Sequence, residues 1–174
     1  MSEPSDPEDL ARRCAQAMWA DDSASRGLGM HLESVSPGRA RVEMTVIESM
    51  VNGHGICHGG FVAALADSTF AFACNTYDEV TVAAGFDIVF VSATHLGDAL
   101  VAEAVERVRR GRSGVYDVTV RRVRALDASS TGAPGDAALG ATVDAAVRAA
   151  AAVADVVAEF RGRSRSLGRP ILPI

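Results

Sequence analysis

The chain has 174 residues and a formal net charge of −5, which fits one domain with a sizeable core and supplies no positive field for a nucleic acid. All 17 of its Lys/Arg cations are arginine, and abundant alanine inflates the 48% hydrophobic fraction, both signs of coding bias rather than of function. Three cysteines, Cys14, Cys57 and Cys74, are too few and too odd for a disulfide framework, and no run reaches the roughly 18 apolar residues of a membrane span. With an acidic, polar start that lacks a signal pattern, the expectation is a cytoplasmic protein that binds neither membrane nor nucleic acid.

Residues 1–5 read as disordered. Asp6-Pro7-Glu8-Asp9 is a helix start: a capping aspartate, proline in the first turn, then acids at the positive end of the dipole. Leu10, Cys14, Ala17 and Met18 continue it at helical spacing to Trp19–Asp22. Residues 23–29 read as a loop. Residues 30–36 and 39–47 form a hairpin around Pro37-Gly38, with Ala40, Val42, Met44 and Val46 on its buried face. A helix is predicted over about 60–75. Strands follow over 80–91, 99–109 and 115–123, with a turn over 111–114, and a last one over 155–164. Between the last two, the Ala/Gly-rich stretch at 125–153 is an insertion where a hairpin needs only about 2–5 residues. It reads as flexible and then, from Val143, helix-prone. The domain assignment is one unit over 1–174, with residues 1–22 as an N-terminal extension and helix.

The stretch from Val51 to Asn75 organises the rest: V-N-G-H-G-I-C-H-G-G-F-V-A-A-L-A-D-S-T-F-A-F-A-C-N. A glycine- and histidine-bearing loop runs straight into an apolar helix. On that helix Asp67 has Ala63, Ala64, Phe70 and Ala71 as its neighbours at three and four residues, so it lies on a face that reads as buried. An unpaired carboxylate there is costly or titrates high. It is either a residue hydrogen-bonded to nearby backbone, or a general base or nucleophile at the rim of a pocket. Gly59 and Gly60 open the helix, where first-turn N–H groups lack intrahelical partners and a ligand can approach the backbone. That is an oxyanion site or simply a tight turn.

Other groups carry weaker alternatives. His54, Cys57 and His58 would make a metal site only with a further ligand that the spacing does not supply, so no metal and no cofactor are expected. Cys57 as a nucleophile would need His54 or His58 as its base, and adjacent side chains on an extended loop diverge. Asn52 is a turn former or a holder of a water or carbonyl. Arg107, Arg109, Arg110 and Arg112 cluster at a strand end, and Arg161, Arg163 and Arg165 alternate further on. They are a solvated surface or a phosphate contact. Small residues along the central helix allow it to sit close to a sheet. The fold class follows as α+β, a curved antiparallel sheet wrapped around one helix, with two strands before the helix and four after. A layer of this kind buries one face well, which favours pairing of protomers.

The segment from Asn52 to Asn75, with Gly114-Val115-Tyr116-Asp117-Val118 and Phe160-Arg161-Gly162-Arg163-Ser164, resembles the hot-dog-fold acyl-CoA thioesterases of the PaaI type, which act in phenylacetate degradation. The similarity spans about residues 10–124 and 155–170. It implies the hot-dog fold and homodimers or homotetramers with active sites at the protomer interface. It implies Asp67 as the catalytic carboxylate, base or nucleophile. It places the Gly59 N–H on the thioester carbonyl from the other protomer, Asn52 near the attacking water, and His58 beside them. Gly60 then adjoins the substrate, and Arg109, Arg110 and Arg112 are the candidates for the coenzyme A phosphates. Some relatives carry a serine early in the strand after the helix; here the region reads Val82-Ala83-Ala84-Gly85. The expected activity is hydrolysis of an aromatic acyl-CoA, such as phenylacetyl- or hydroxyphenylacetyl-CoA, to free acid and CoA. The alternatives are a non-catalytic acyl-CoA binding module and a hot-dog hydratase. The hydratase pattern D-x-x-x-x-H is broken here by Phe72, five residues after Asp67.

Overall fold

The computed structural model describes residues 6–123 and 155–173. The expectations for residues 1–5 and for the insertion at 125–153 lie outside those described residues.

The first helix, α1 (Pro7–Asp21), starts as the sequence indicates: the Asp6 carboxylate accepts a hydrogen bond from the Glu8 N–H at 3.2 Å, with Pro7 in the first turn. Its buried positions are Ala11, Cys14 and Ala15, so the stripe is rotated from the predicted one and Ala17 and Met18 lie on its flank. The predicted loop at 23–29 instead holds a short helix, α2 (Ser23–Gly27). Asp22 both ends α1 and caps α2, accepting from the Ser25 N–H at 2.9 Å and the Ser25 hydroxyl at 2.6 Å. A helix of one turn has no room for an apolar period, which is why the pattern missed it.

Six strands follow: β1 (His31–Ser36), β2 (Arg39–Thr45), β3 (Thr81–Phe90), β4 (Ala99–Arg110), β5 (Ser113–Val123) and β6 (Asp155–Ser166). They form one antiparallel sheet in the order β1-β2-β4-β5-β6-β3. The turn between β4 and β5 is only Gly111–Arg112, tighter than predicted, because Ser113 and Gly114 already pair with Arg110 and Arg109. At the first hairpin Gly38 has φ +70°, and a Cβ there would meet Glu106 and Tyr77 at 2.8 and 2.9 Å. Only glycine fits that turn.

The sheet curves around α3 (Gly59–Cys74). Alternation sends Ala40, Val42 and Met44 of β2, Leu100, Ala102 and Ala104 of β4, Tyr116, Val118 and Val120 of β5, and Phe160 of β6 into the core. Paired register aligns them across the sheet, with Val42 opposite Ala102, Ala104 opposite Val118, and Val118 opposite Phe160. The Phe70 ring of α3 meets Tyr116 and Phe160 at 5.4 and 5.8 Å between centroids. A Cβ at Gly162 would lie 3.0 Å from that Phe70 ring, so the bare backbone of β6 lets the helix descend onto the sheet. This is the hot-dog arrangement, with two strands before the helix and four after it.

The two sheet edges differ. α1 packs along β1. Beyond β3, among the described residues, no further strand is paired. β3 nonetheless carries large apolar side chains that are solvent-exposed: Val82, Phe86, Val89 at 64% and Phe90 at 50%.

Candidate active site

The core-facing stripe of α3 is Val62, Leu65, Ala66, Thr69, Phe70 and Ala73. Asp67 is not on that stripe. It lies on the flank, half-buried, where the helix borders a cavity of about 470 Å³. Its Oδ1 is fully buried and has no hydrogen-bond partner among the described residues. Burial alone pushes its carboxyl above the ordinary aspartate value. The rest of the wall is largely apolar: Phe70 and Ala71 from α3, Met18 from α1, Val82 from β3, and Ile171 from the C-terminal tail. Asp21 reaches the same cavity from the end of α1.

Two polar side chains that the sequence reading left aside build that wall. Asn75, the C-cap of α3, donates its amide to the carbonyls of Ala71 and Thr81 at 2.9 and 2.8 Å, and its Oδ1 accepts from the Thr81 N–H at 2.8 Å. One side chain thus ties the helix end to the first residue of β3 and sets Val82 against Asp67. Asp78 sits at φ 53°, and its Oδ1 accepts from the N–H groups of Ile171 and Leu172 at 2.9 and 2.8 Å. It clasps the tail so that Ile171 closes the cavity. Asparagine at a helix C-cap was a legible signal. The tail contact crosses more than ninety residues and was not.

The other end of α3 is organised by its loop. Asn52 folds back on itself: its Oδ1 accepts from the His54 N–H at 2.9 Å, and its carbonyl from the Gly55 N–H at 3.0 Å. His58 is the N-cap, its Nδ1 accepting from the Gly60 N–H at 3.1 Å. The Gly60 amide is therefore already engaged. The Gly59 amide, one residue earlier, has no partner among the described residues and borders a second cavity of about 320 Å³ with Asn52, Phe90 and Thr94. The Phe90 ring lies over Gly59, where a Cβ would approach it to 3.0 Å. Cys57 is a buried thiol raised by desolvation, the wrong direction for a nucleophile.

Within one protomer these two halves do not meet. Gly59 and Asp67 stand eight residues apart on α3, about 12 Å along a helix axis, and open into separate cavities. An oxyanion donor and a base acting on one carbonyl must converge within hydrogen-bond reach.

The arginines divide by environment. Arg109 stacks over the Tyr77 ring at 3.9 Å and lies 3.9 Å from the Glu79 carboxylate. Arg112 donates Nε and Nη2 to the Ser166 carbonyl at 3.0 and 2.7 Å. Arg110 instead lines an open groove with Arg163 and Arg165. Arg110 pairs in register with Ser113, Ser113 with Arg165, and Arg165 with the cavity residue Val82. The groove thus sits at the cavity end of the sheet.

Comparison with known proteins fits this geometry. Residues 54–126, which carry His58, Gly59 and Asp67, match the model of the Thioesterase superfamily. The chain is 41% identical over 106 residues to the acyl-coenzyme A thioesterase PaaI of Escherichia coli, covering 61% of this chain and 76% of that protein. It is 30% identical over 112 residues to a putative esterase of Archaeoglobus fulgidus, covering 64% of this chain and 73% of that one. The solved structure of the E. coli PaaI protein from the phenylacetic acid degradation operon superposes with a TM-score of 0.76 at 31% identity, covering 95% of this chain and 99% of that one.

Proposed function

We propose that this chain, which belongs to the thioesterase superfamily, hydrolyses acyl-coenzyme A thioesters, with an aromatic acyl group such as phenylacetyl or hydroxyphenylacetyl as the preferred substrate. The observation that carries the reading is Asp67: a carboxylate with a buried, unpartnered oxygen facing an apolar cavity of about 470 Å³, a size within the usual range of small-molecule sites. Asp67 draws a proton from the water that attacks the thioester carbonyl carbon, or attacks that carbon itself to form an acyl anhydride that water then hydrolyses to the free acid, restoring the carboxylate and releasing a proton. The carbonyl oxygen becomes an oxyanion held by the Gly59 N–H. The C–S bond then breaks, the electron pair leaves with sulfur, and the coenzyme A thiolate takes up the proton that came from water. Asn52 and His58 hold the loop that presents this amide. The apolar wall of Met18, Phe70 and Ile171 suits an aryl group, and the relative named for the phenylacetic acid operon supports that choice.

The catalytic set is completed by a second protomer. The exposed apolar edge of β3 suits a two-fold antiparallel pairing with a second β3. An axis near Phe86 sets Phe90 of one protomer opposite Val82 of the other. Phe90 covers Gly59 and Val82 walls the Asp67 cavity, so the pairing brings each free amide to the other protomer's carboxylate. A homotetramer would be two such pairs and would add nothing to this set. Arg110, in the groove at the same end of the sheet, is the arginine best placed for a coenzyme A phosphate.

The test is free-thiol release from aromatic and straight-chain acyl-CoA esters by wild type and Asp67→Asn. Turnover that favours aromatic esters and collapses in the variant is expected. A folded protein that binds coenzyme A esters without turning over any of them would leave a binding module.

A further inference from the structure

The cavity beside Asp67 contains a second carboxylate that thioester cleavage does not use. Asp21 lies at the C-terminal end of α1, solvent-exposed, at the open side of the cavity. It has neither a hydrogen bond nor an ion pair with any described side chain. Its position does not serve the helix. The last turn of α1 holds no basic residue, and an acid at a helix C-terminus is opposed by the macrodipole. The adjacent Asp22 has a structural task, capping α2; Asp21 has none.

The cavity wall includes no arginine. Its other polar side chains are committed: Asn75 holds the helix end to β3, and the Thr81 hydroxyl donates to the Glu79 carbonyl at 2.8 Å. A substrate therefore meets an apolar slot with one carboxylate at the reacting end and another at the mouth. Asp67 is half-buried whereas Asp21 is exposed to solvent, so the two acids sit in different surroundings.

We propose that Asp21 determines the charge selectivity of the acyl site. It accepts a hydrogen bond from a donor on the distal end of the acyl group and turns away acyl groups that end in a carboxylate. This rests on the thioesterase reading and on Asp67 marking the reacting end. A donor facing Asp21 gains a charge-assisted hydrogen bond, whereas an anionic end meets a like charge with no cation in the wall, since the Arg26 guanidinium donates instead to the Trp19 and Ala20 carbonyls at the end of α1. Because Asp21 stays in contact with water, the discrimination is modest beside that of a fully buried polar site.

The experiment compares kcat/KM for phenylacetyl-CoA, 4-hydroxyphenylacetyl-CoA and 4-carboxyphenylacetyl-CoA in wild type, Asp21→Asn and Asp21→Ala. Ratios between substrates are read, so a general loss from altered packing cancels. In wild type the hydroxylated ester is expected to exceed the carboxylated one by roughly 100-fold, combining about tenfold for each effect. Asp21→Asn should relieve the penalty on the carboxylate and keep part of the hydroxyl preference. Asp21→Ala should bring both ratios to within about threefold of one, with the change carried mainly by KM. Ratios that are the same in all three proteins, or a wild type indifferent to the ring substituent, would overturn the role of Asp21 while leaving hydrolysis intact. Absence of hydrolysis of every ester by wild type would overturn the thioesterase reading, and this one with it.

Discussion

On the proposed reading, Asp67 carries both the activity and a stability cost at one residue. Its carboxyl is raised by desolvation, so the folded state holds that proton more tightly than the unfolded chain does. Stability then falls as pH rises from the unfolded value, about 3.9, through the higher folded one. Asp67→Asn should therefore abolish turnover yet raise thermal stability at pH 7, by about 1 kcal/mol once the water that still reaches the side chain is discounted. The gain should vanish in acid below the unfolded value, which thermal melts at several pH values would read. In the wild type, kcat/KM should fall in acid with a midpoint above the ordinary aspartate value; a midpoint at or below it would argue against desolvation. Gly59 allows an equally sharp test. Proline is tolerated at a first helical position and lacks the N–H, and the backbone of His58, at φ −64° and ψ 127°, suits a residue before proline. Gly59→Pro removes the proposed oxyanion donor and should lower kcat by about 10²–10³-fold. Gly59→Ala keeps the amide and adds only the Cβ that crowds Phe90, so its smaller loss measures the crowding. Asp67 and Gly59 were legible in the sequence because a lone acid in an apolar helix and a glycine pair at its start are local anomalies. Asp21, Asn75 and Asp78 were not singled out, because their roles depend on contacts with β3, the tail and the cavity.

At the scale of elements, the strands were legible wherever one face is buried. Ala40, Val42 and Met44 alternate with the more exposed Arg39, Arg41 and Glu43 because β2 lies between β1 and β4 with α3 on one side. β3 did not alternate. Residues 80–91 are a long apolar run, yet β3 is the sheet edge, with Val82, Phe86, Val89 and Phe90 open to solvent. The run makes sense if the edge is covered in the assembly, and it then reports on a partner rather than on the internal core. Phe86→Arg tests this. A cation at the centre of a self-paired edge faces its own copy across the two-fold axis, so the variant should elute as a monomer and lose turnover while keeping its circular dichroism spectrum. An intact, active dimer would place the interface elsewhere. The C-terminal tail is a second element with a functional consequence. Asp78→Ala frees the backbone amides of Ile171 and Leu172 and releases the wall residue Ile171. KM for an aryl ester should rise several-fold with a smaller change in kcat, since the loss falls on binding shared by ground and transition states.

For the whole molecule, the decisive fact is that a free amide and an unpartnered carboxylate occupy opposite halves of one helix. About 12 Å of helix separates Gly59 from Asp67, a distance that no side-chain rotation closes and that curvature of the sheet does not change. On the proposed reading, one chain holds half of each of two sites, and a symmetric pair is the smallest unit that holds a whole one. Mixing two defective proteins tests this directly. Gly59→Pro alone and Asp67→Asn alone should each be inactive as pure pairs. When the two are refolded together in equal amounts, half of the pairs are mixed. Each mixed pair has one site carrying both lesions and one site carrying neither, so turnover should return to about a quarter of the wild-type value. If each site were built within a single chain, every protomer in the mixture would still carry its own lesion, and mixing would restore nothing. The same experiment bears on why β3 keeps an apolar edge that would otherwise invite aggregation: in the proposed pairing that edge assembles the site, so stability of the pair and catalysis should be lost together.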